Sequence, residues 1–419
     1  MSLAHYNKTS YDSPHRTRVG LPPGPVFVVL GVLSGLYFWL TGTVWAVTGE
    51  FTRLGGHVVA GLGADISQWQ YFAEVTTISG SPLERTDGWI VVAMLLGSLI
   101  AALAAGDFRL RFPRLKRRWV QALCGGIIAG FGARLAFGCN LAAMFTGIPQ
   151  FSLHAWIFTL FTAVGTWVGV QIIKQRWWRG PTRPQPANQG ESAAAASSRT
   201  LHVAIAVALA VATLGAAVWY LTSDRASLAV AVVFGLAFGV LIQRGQICFT
   251  AAFRDLWVTR KTKLADSLVL GLAAAVVVTF VVLLATDAQP LTKPAGWGTV
   301  IGGFLFGLGI IFAGACETGM MYRAMEGQLV AWVAFAGNIV GATVLAYGWD
   351  HWGIHAALVA NAPKINFYDA WGPWPALVAS LAALAVWWVA MSPRRADRKT
   401  RLESQYQVAA SPERSLNDN

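Results

Sequence analysis

Residues 266–286 read DSLVLGLAAAVVVTFVVLLAT, and no charged side chain follows Asp266 in that stretch. About 20 apolar residues in a row are what an α-helix needs to cross the hydrocarbon core of a bilayer. Stretches of the same kind lie near 25–45, 87–106, 119–137, 151–173, 200–222, 227–243, 297–315, 328–348 and 372–391, which makes ten in all. The fold class this implies is an all-α, polytopic membrane bundle. Composition agrees. The chain is 55% hydrophobic and 12% charged, against about 25% charged residues in an average soluble domain. Mean hydropathy is +0.51. The 19 Trp suit the bilayer interface, where the ring is buried and the N–H stays wet.

The net charge is +12. A basic balance can signal nucleic acid, but here Lys and Arg sit in short loops between apolar runs. They form RLRFPRLKRR (109–118), KQRWWRGPTR (174–183), RDLWVTRKTK (254–263) and RRADRKTR (394–401). Nucleic acid is therefore excluded as a partner, and the clusters are topology signals. With ten spans, a cytoplasmic N-terminus puts all four clusters in the cytoplasm, as the positive-inside rule asks. The chain divides into a cytoplasmic arm (1–24), a first membrane half (25–179), a linker (180–199, GPTRPQPANQGESAAAASSR), a second membrane half (200–391) and a charged tail (392–419). The N-terminus is polar and basic, and its first apolar run is of full length, which argues against a cleavable signal peptide.

The halves resemble each other. Gly126, Gly130 and Gly132 are followed by Cys139 and Trp156; Gly303, Gly307 and Gly309 are followed by Cys316 and Trp332. The span holding the first set is expected to run outward and its counterpart inward. Two inverted-topology repeat halves follow, a build whose substrate site lies at the repeat interface.

Three segments break the apolar pattern in one way: FGARLAFGCNLAAMFTGI around Cys139, RGQICFTAAFRD around Cys248, and FAGACETGMMYRAMEG around Cys316. Each puts a Cys near the end of a span with polar residues close by. Non-helical backbone at membrane depth survives only inside protein or beside a wet cavity, so these are expected to be broken or re-entrant helices. Helix N-termini there would offer N–H groups and a positive dipole end to an anion. Cys124 lacks this context and is expected to be a small hydrophobe in the core. No CxxC pair or zinc spacing occurs, so neither a metal nor a cofactor is expected. Ionisable groups inside a membrane are functional candidates by default; Arg134, Arg244, Glu317, Arg323 and Glu326 qualify. A structural ion pair of Arg323 with Glu317 or Glu326 is the bland alternative. His154 and His202 are expected to be satisfied helix or interface residues.

At these motifs, and at TGTVWAVTGEFTRLGG (41–56), the sequence resembles the YeeE/YedE family of membrane proteins, and within it the branch associated with selenium metabolism. The likeness runs through nearly the whole chain. It implies a bacterial inner-membrane importer of thiosulfate, with an hourglass-shaped helical fold and a line of Cys thiols along the path. Carried over, the thiols are Cys139, Cys248 and Cys316. Asn140, Arg134, Glu317, Arg323 and Gln246 complete the expected substrate site. The stretch that matches RGQICF in the first half, TGTVWAVTG, has no Cys. Thiosulfate, selenite and related ions are the substrate class implied. A cytoplasmic sulfur-carrier protein is a candidate partner beside the lipid bilayer. The rival class is a membrane thiol oxidoreductase using the same Cys for electron transfer. Such enzymes use a close thiol pair, and these three Cys are far apart in sequence.

Overall fold

The computed structural model describes residues 20–113, 115–179 and 194–391. Most of the N-terminal arm, linker residues 180–193, and the tail with its basic cluster lie outside the described residues. The elements are α1 (Pro23–Thr41), α2 (Thr48–Gly61), α3 (Gln70–Glu74), α4 (Thr86–Ala105), α5 (Arg117–Leu135), α6 (Leu153–Ile173), α7 (Arg176–Arg179), α8 (Ala194–Thr222) and α9 (Ala226–Gly245). They continue as α10 (Phe249–Val258), α11 (Lys263–Ala285), α12 (Trp297–Ala313), α13 (Glu317–Met325), α14 (Leu329–His351), α15 (Ile354–Leu358), α16 (Phe367–Trp371) and α17 (Pro373–Ala390). A π-helical turn covers Asn140–Phe145. Among the described residues there is no strand, only the isolated bridges Arg111–Gln328 and Ser152–Asn366.

Ten segments are long and apolar enough to span a membrane, and they match the ten expected from hydropathy. Three are overlong: Arg117–Phe145, Ala226–Val258 and Trp297–Met325, the second of them 33 residues. A straight helix of that length would measure about 50 Å, against a hydrocarbon core of about 30 Å. Each is broken, and each break falls at one of the three expected Cys. Between the first two spans, where hydropathy shows no span, lies α2, whose Thr48, Glu50, Phe51, Thr52 and Arg53 are buried. Helix α8 starts at Ala194, inside the stretch assigned to the linker.

The core is held together by close helix contacts. Helix α5 lies against α12 and α14, α6 against α12, α4 against α9, and α1 against α11. Lipid tails are as apolar as Leu, so burial does not drive helices together in a bilayer. Dispersion between closely approaching backbones does. Gly126 and Gly130 face the backbone of Ala334 and Asn338 so closely that a Cβ on either would overlap it. Gly125 and Gly309 do the same where α5 meets α12. Helices α8 and α17 lie at the rim, with apolar side chains such as Val207, Val211, Val378 and Val386 exposed where lipid would cover them.

Candidate functional site

The three breaks share one local device. Two residues before each Cys the backbone turns left-handed: Phe137 (φ 53°), Gln246 (φ 51°) and Gly314 (φ 85°). The Cys itself is extended and serves as the N-cap of the next short helix. Only Gly takes positive φ without penalty; a bulky residue such as Phe137 costs about 1–3 kcal/mol there, a strain typical of functional positions. Helix α2 has Val47 as its N-cap, where the other three helices have Cys, but Val47 is not extended (φ −124°, ψ −27°) and no left-handed residue stands two positions before it.

The four short helices start together. Thr48, first residue of α2, donates through Oγ1 to Glu317 Oε2 at 2.9 Å, and Glu317 is the first residue of α13. Cys139 and the Asn338 amide lie against the same carboxyl. Cys248 Sγ and Cys316 Sγ are 3.9 Å apart, with the backbone of Thr250 beside Cys316. All three thiols are free and buried. Each lies near the N–H of the residue three positions on (Ala142, Ala251, Gly319) without closing a capping hydrogen bond. First-turn N–H groups have no partner inside the helix, so the centre is rich in free donors. It is also rich in unpaired polar atoms. Both amide atoms of Asn140 and of Asn338, Thr250 Oγ1 and Glu317 Oε1 are buried with no hydrogen-bond partner among the described residues. Orphaned groups like these are few in native proteins and call for a ligand or water.

The charged residues flank this centre. Arg134, at the end of α5, donates through Nε to Tyr71 Oη at 2.6 Å, and its Nη2 also reaches that oxygen. Its charge is felt by Glu317 on one side and by Lys293 on the other. Lys293 keeps an exposed side chain, yet the surrounding protein strips solvation from its ammonium. That loss, with Arg134 and Lys364 nearby, holds it below the usual lysine range. Beyond the thiol pair, half-buried Arg323 donates to Gly314 O at 2.9 Å and Tyr322 Oη at 3.2 Å, and its charge reaches Cys248 and Cys316.

Gln246 does not join the thiols. Its amide donates to Glu326 Oε1 at 2.7 Å, as does that of Gln243, while Gln328 donates to Oε2, from which Arg111 is 3.9 Å away. That cluster straps the segment 109–111 onto the α13–α14 turn. The suggested ion pairs of Arg323 with Glu317 or Glu326 are absent among the described residues; backbone and phenol oxygens hold the guanidinium instead. Cys124, expected in the core, is exposed on α5. His154 is buried and satisfied by Ala136 O at 2.7 Å, as expected. Thr48, Thr250 and Asn338 went unnoticed in the sequence. Asn338 had a signal, a lone amide within an apolar span, whereas Thr48 and Thr250 look like any helix-start threonine.

An all-helical bundle with ten candidate spans, and with broken helices meeting at buried polar groups, is the architecture of a multi-pass membrane protein, and its relatives are transporters. A sequence profile described as "Sulphur transport" matches residues 11–168 and 244–416, and the chain belongs to that family. It is 44% identical over 368 residues to "Probable transporter YedE" of Escherichia coli (strain K12), covering 86% of this chain and 89% of that protein. The Salmonella typhimurium protein of the same name is 44% identical over 359 residues, 84% of this chain and 86% of its own length. "Thiosulfate transporter TsuA" of Escherichia coli (strain K12) is 34% identical over 163 residues, 37% of this chain and 45% of that protein.

Proposed function

We propose that this chain imports a thiosulfate-like anion across the bacterial inner membrane, past Cys139 and then the Cys248–Cys316 pair. The observation that carries the proposal is the gathering of three thiols, each starting a short helix, around one buried polar centre. Thiosulfate is a dianion with a terminal sulfur. A neutral thiol is a weak S–H donor with a soft, polarisable sulfur, so it can hold such an ion without trapping it. Conduction needs successive weak sites of this kind. Free N–H groups at the helix starts supply the remaining attraction. Arg134, Lys293 and Lys364 gather the anion on the outer side, and Arg323 receives it on the inner side, from which a cytoplasmic sulfur-carrier protein would take it. Selenium analogues such as selenite are softer still and would not be excluded by thiols.

The same proposal takes the membrane halves as inverted repeats. Exchanging α1 with α9, α2 with α10, α4 with α11, α5 with α12 and α6 with α14 turns the α1–α11 contact into α9–α4, α5–α14 into α12–α6, and α2–α14 into α10–α6. All of these contacts are present. The deciding experiment is reconstitution in liposomes, with labelled thiosulfate and labelled selenite offered separately. Uptake of neither ion, by protein shown to be folded, would end the proposal.

A further inference from the structure

We infer that Glu317 is a proton-binding site that couples passage of the anion to movement of a proton. This rests on the proposed path and deepens it. Glu317 is fully buried and stands between Cys139 and the Cys248–Cys316 pair, so an anion moving from one to the other passes its carboxyl. Oε2 accepts from Thr48, but Oε1 has no partner. No cation forms an ion pair with it among the described residues. The groups that face it are Thr48 from α2, Cys139 from the turn before the π-helix, Asn338 from α14 and the more distant Arg134 from α5; Cys316, its chain neighbour, adds a further thiol with Cys248 of α10 beyond. Arg134 is the one cation among these, and it is already engaged by Tyr71.

An ionised carboxylate in this position would be desolvated, with Thr48 donating to it but no cation in contact, and it would repel the anion. A proton on Oε1 removes both penalties. Asn338 lies against the carboxyl with neither amide atom partnered, and because an amide can present either its N–H or its oxygen, it can accept the O–H of the acid as well as donate to the carboxylate. A buried, unpartnered amide against a buried carboxyl oxygen that also has no partner is a pattern a carboxylic acid can complete. The donor set favours a proton over a metal cation. Hard cations such as calcium and magnesium gather several oxygen ligands, whereas this carboxyl faces one thiol, one amide and one hydroxyl, and no metal-holding group of His, Cys, Asp and Glu occurs among the described residues. The proton enters from the outer water onto the carboxylate and leaves to the cytoplasm after the anion has passed.

The test uses the full chain in liposomes holding a pH-sensitive dye, with labelled thiosulfate outside. For the wild type, addition of thiosulfate acidifies the lumen. An inward proton gradient raises accumulation by about tenfold per pH unit, the ratio of proton activities, if one proton accompanies each ion. Glu317→Gln, which mimics the neutral acid, is expected to keep measurable thiosulfate exchange but lose both the acidification and the response to the gradient. Glu317→Asp, which restores a titratable group, is expected to recover part of both. Thiosulfate exchange by the wild type without linked proton movement would overturn this inference alone, as would full gradient response in Glu317→Gln or stimulation by sodium in place of protons. No exchange at all by the wild type would instead overturn the proposed path.

Discussion

Replacing the thiols one at a time and in pairs should divide them into two sites. Cys248 and Cys316 are 3.9 Å apart, so both can touch one terminal sulfur. Cys139 stands against Glu317, away from that contact. A hydrogen bond to a charged group contributes about 1.5–3 kcal/mol, and S–H is a weak donor, so the lower end applies. Loss of about 1.5 kcal/mol corresponds to roughly tenfold in rate where that step limits transport. Each single change, Cys139→Ala, Cys248→Ala or Cys316→Ala, should therefore slow uptake about tenfold. Residues in contact couple, while distant ones add. The pair Cys248→Ala with Cys316→Ala should lose much less than the product of its two single losses. Cys139→Ala with Cys316→Ala should approach the product. Cys124→Ala should leave uptake unchanged, since that side chain is exposed on α5. The assay is initial uptake of labelled thiosulfate at matched membrane expression. Full uptake in all three single variants, or loss of uptake in Cys124→Ala alone, would refute the thiol path.

Topology reporters fused after Asn188 and Asp397 should both report the cytoplasm, and periplasmic activity at either would contradict the ten-span arrangement. Lys293→Gln should raise the apparent KM for thiosulfate with little change in maximal rate, because it removes an outer charge and not a step of the path. Since the Lys293 ammonium is held below the usual lysine range, it stays charged at low pH and loses its proton earlier than an ordinary lysine as external pH climbs. Wild-type KM should therefore rise on the alkaline side, and Lys293→Arg should push that rise to higher pH. Gly130→Ala should overlap the Asn338 backbone and destabilise the protein by about 1–3 kcal/mol as an overpacked core site, read as a lower melting temperature in detergent together with slower uptake.

The spans were legible because hydropathy over about 20 residues is a strong signal with one physical cause. The breaks were legible too, since Gly138, Gly245 and Gly314 interrupt apolar runs next to Cys and polar residues. What periodicity could not reveal is which residue turns the chain. Phe137 and Gln246 adopt left-handed backbone that neither residue type favours, and only the surrounding packing imposes it. Proximity was hidden for a similar reason. Cys248 and Cys316 are remote in sequence and touch in space, so the absence of a CxxC motif said nothing about a close pair. Gln246 was assigned to the thiols from its position two residues before Cys248, but the turn at Gln246 sends its amide the other way, to Glu326.

The unequal distribution of thiols has a mechanical consequence. On the proposed path the anion meets one thiol, Cys139, before Glu317 and two in contact, Cys248 and Cys316, after it, while Val47 takes the fourth helix start. An anion that can touch two soft donors together is held longer than one touching a single donor, so the inner position is the deeper well. A deeper well does not by itself drive import, because an ion bound more tightly also leaves more slowly, and net flux needs a free-energy source. The carboxyl between the two positions is where such a source can act. At an effective dielectric of 20, two unit charges 4 Å apart interact by about 4 kcal/mol, and a dianion beside a carboxylate doubles that. On the inference that Glu317 binds a proton, repulsion of this size opposes passage of the dianion while the carboxyl is ionised and is relieved when it carries the proton. If the proton is supplied from the outer side, as inferred above, the position of one acid between unequal thiol sites would give a string of weak sites its direction.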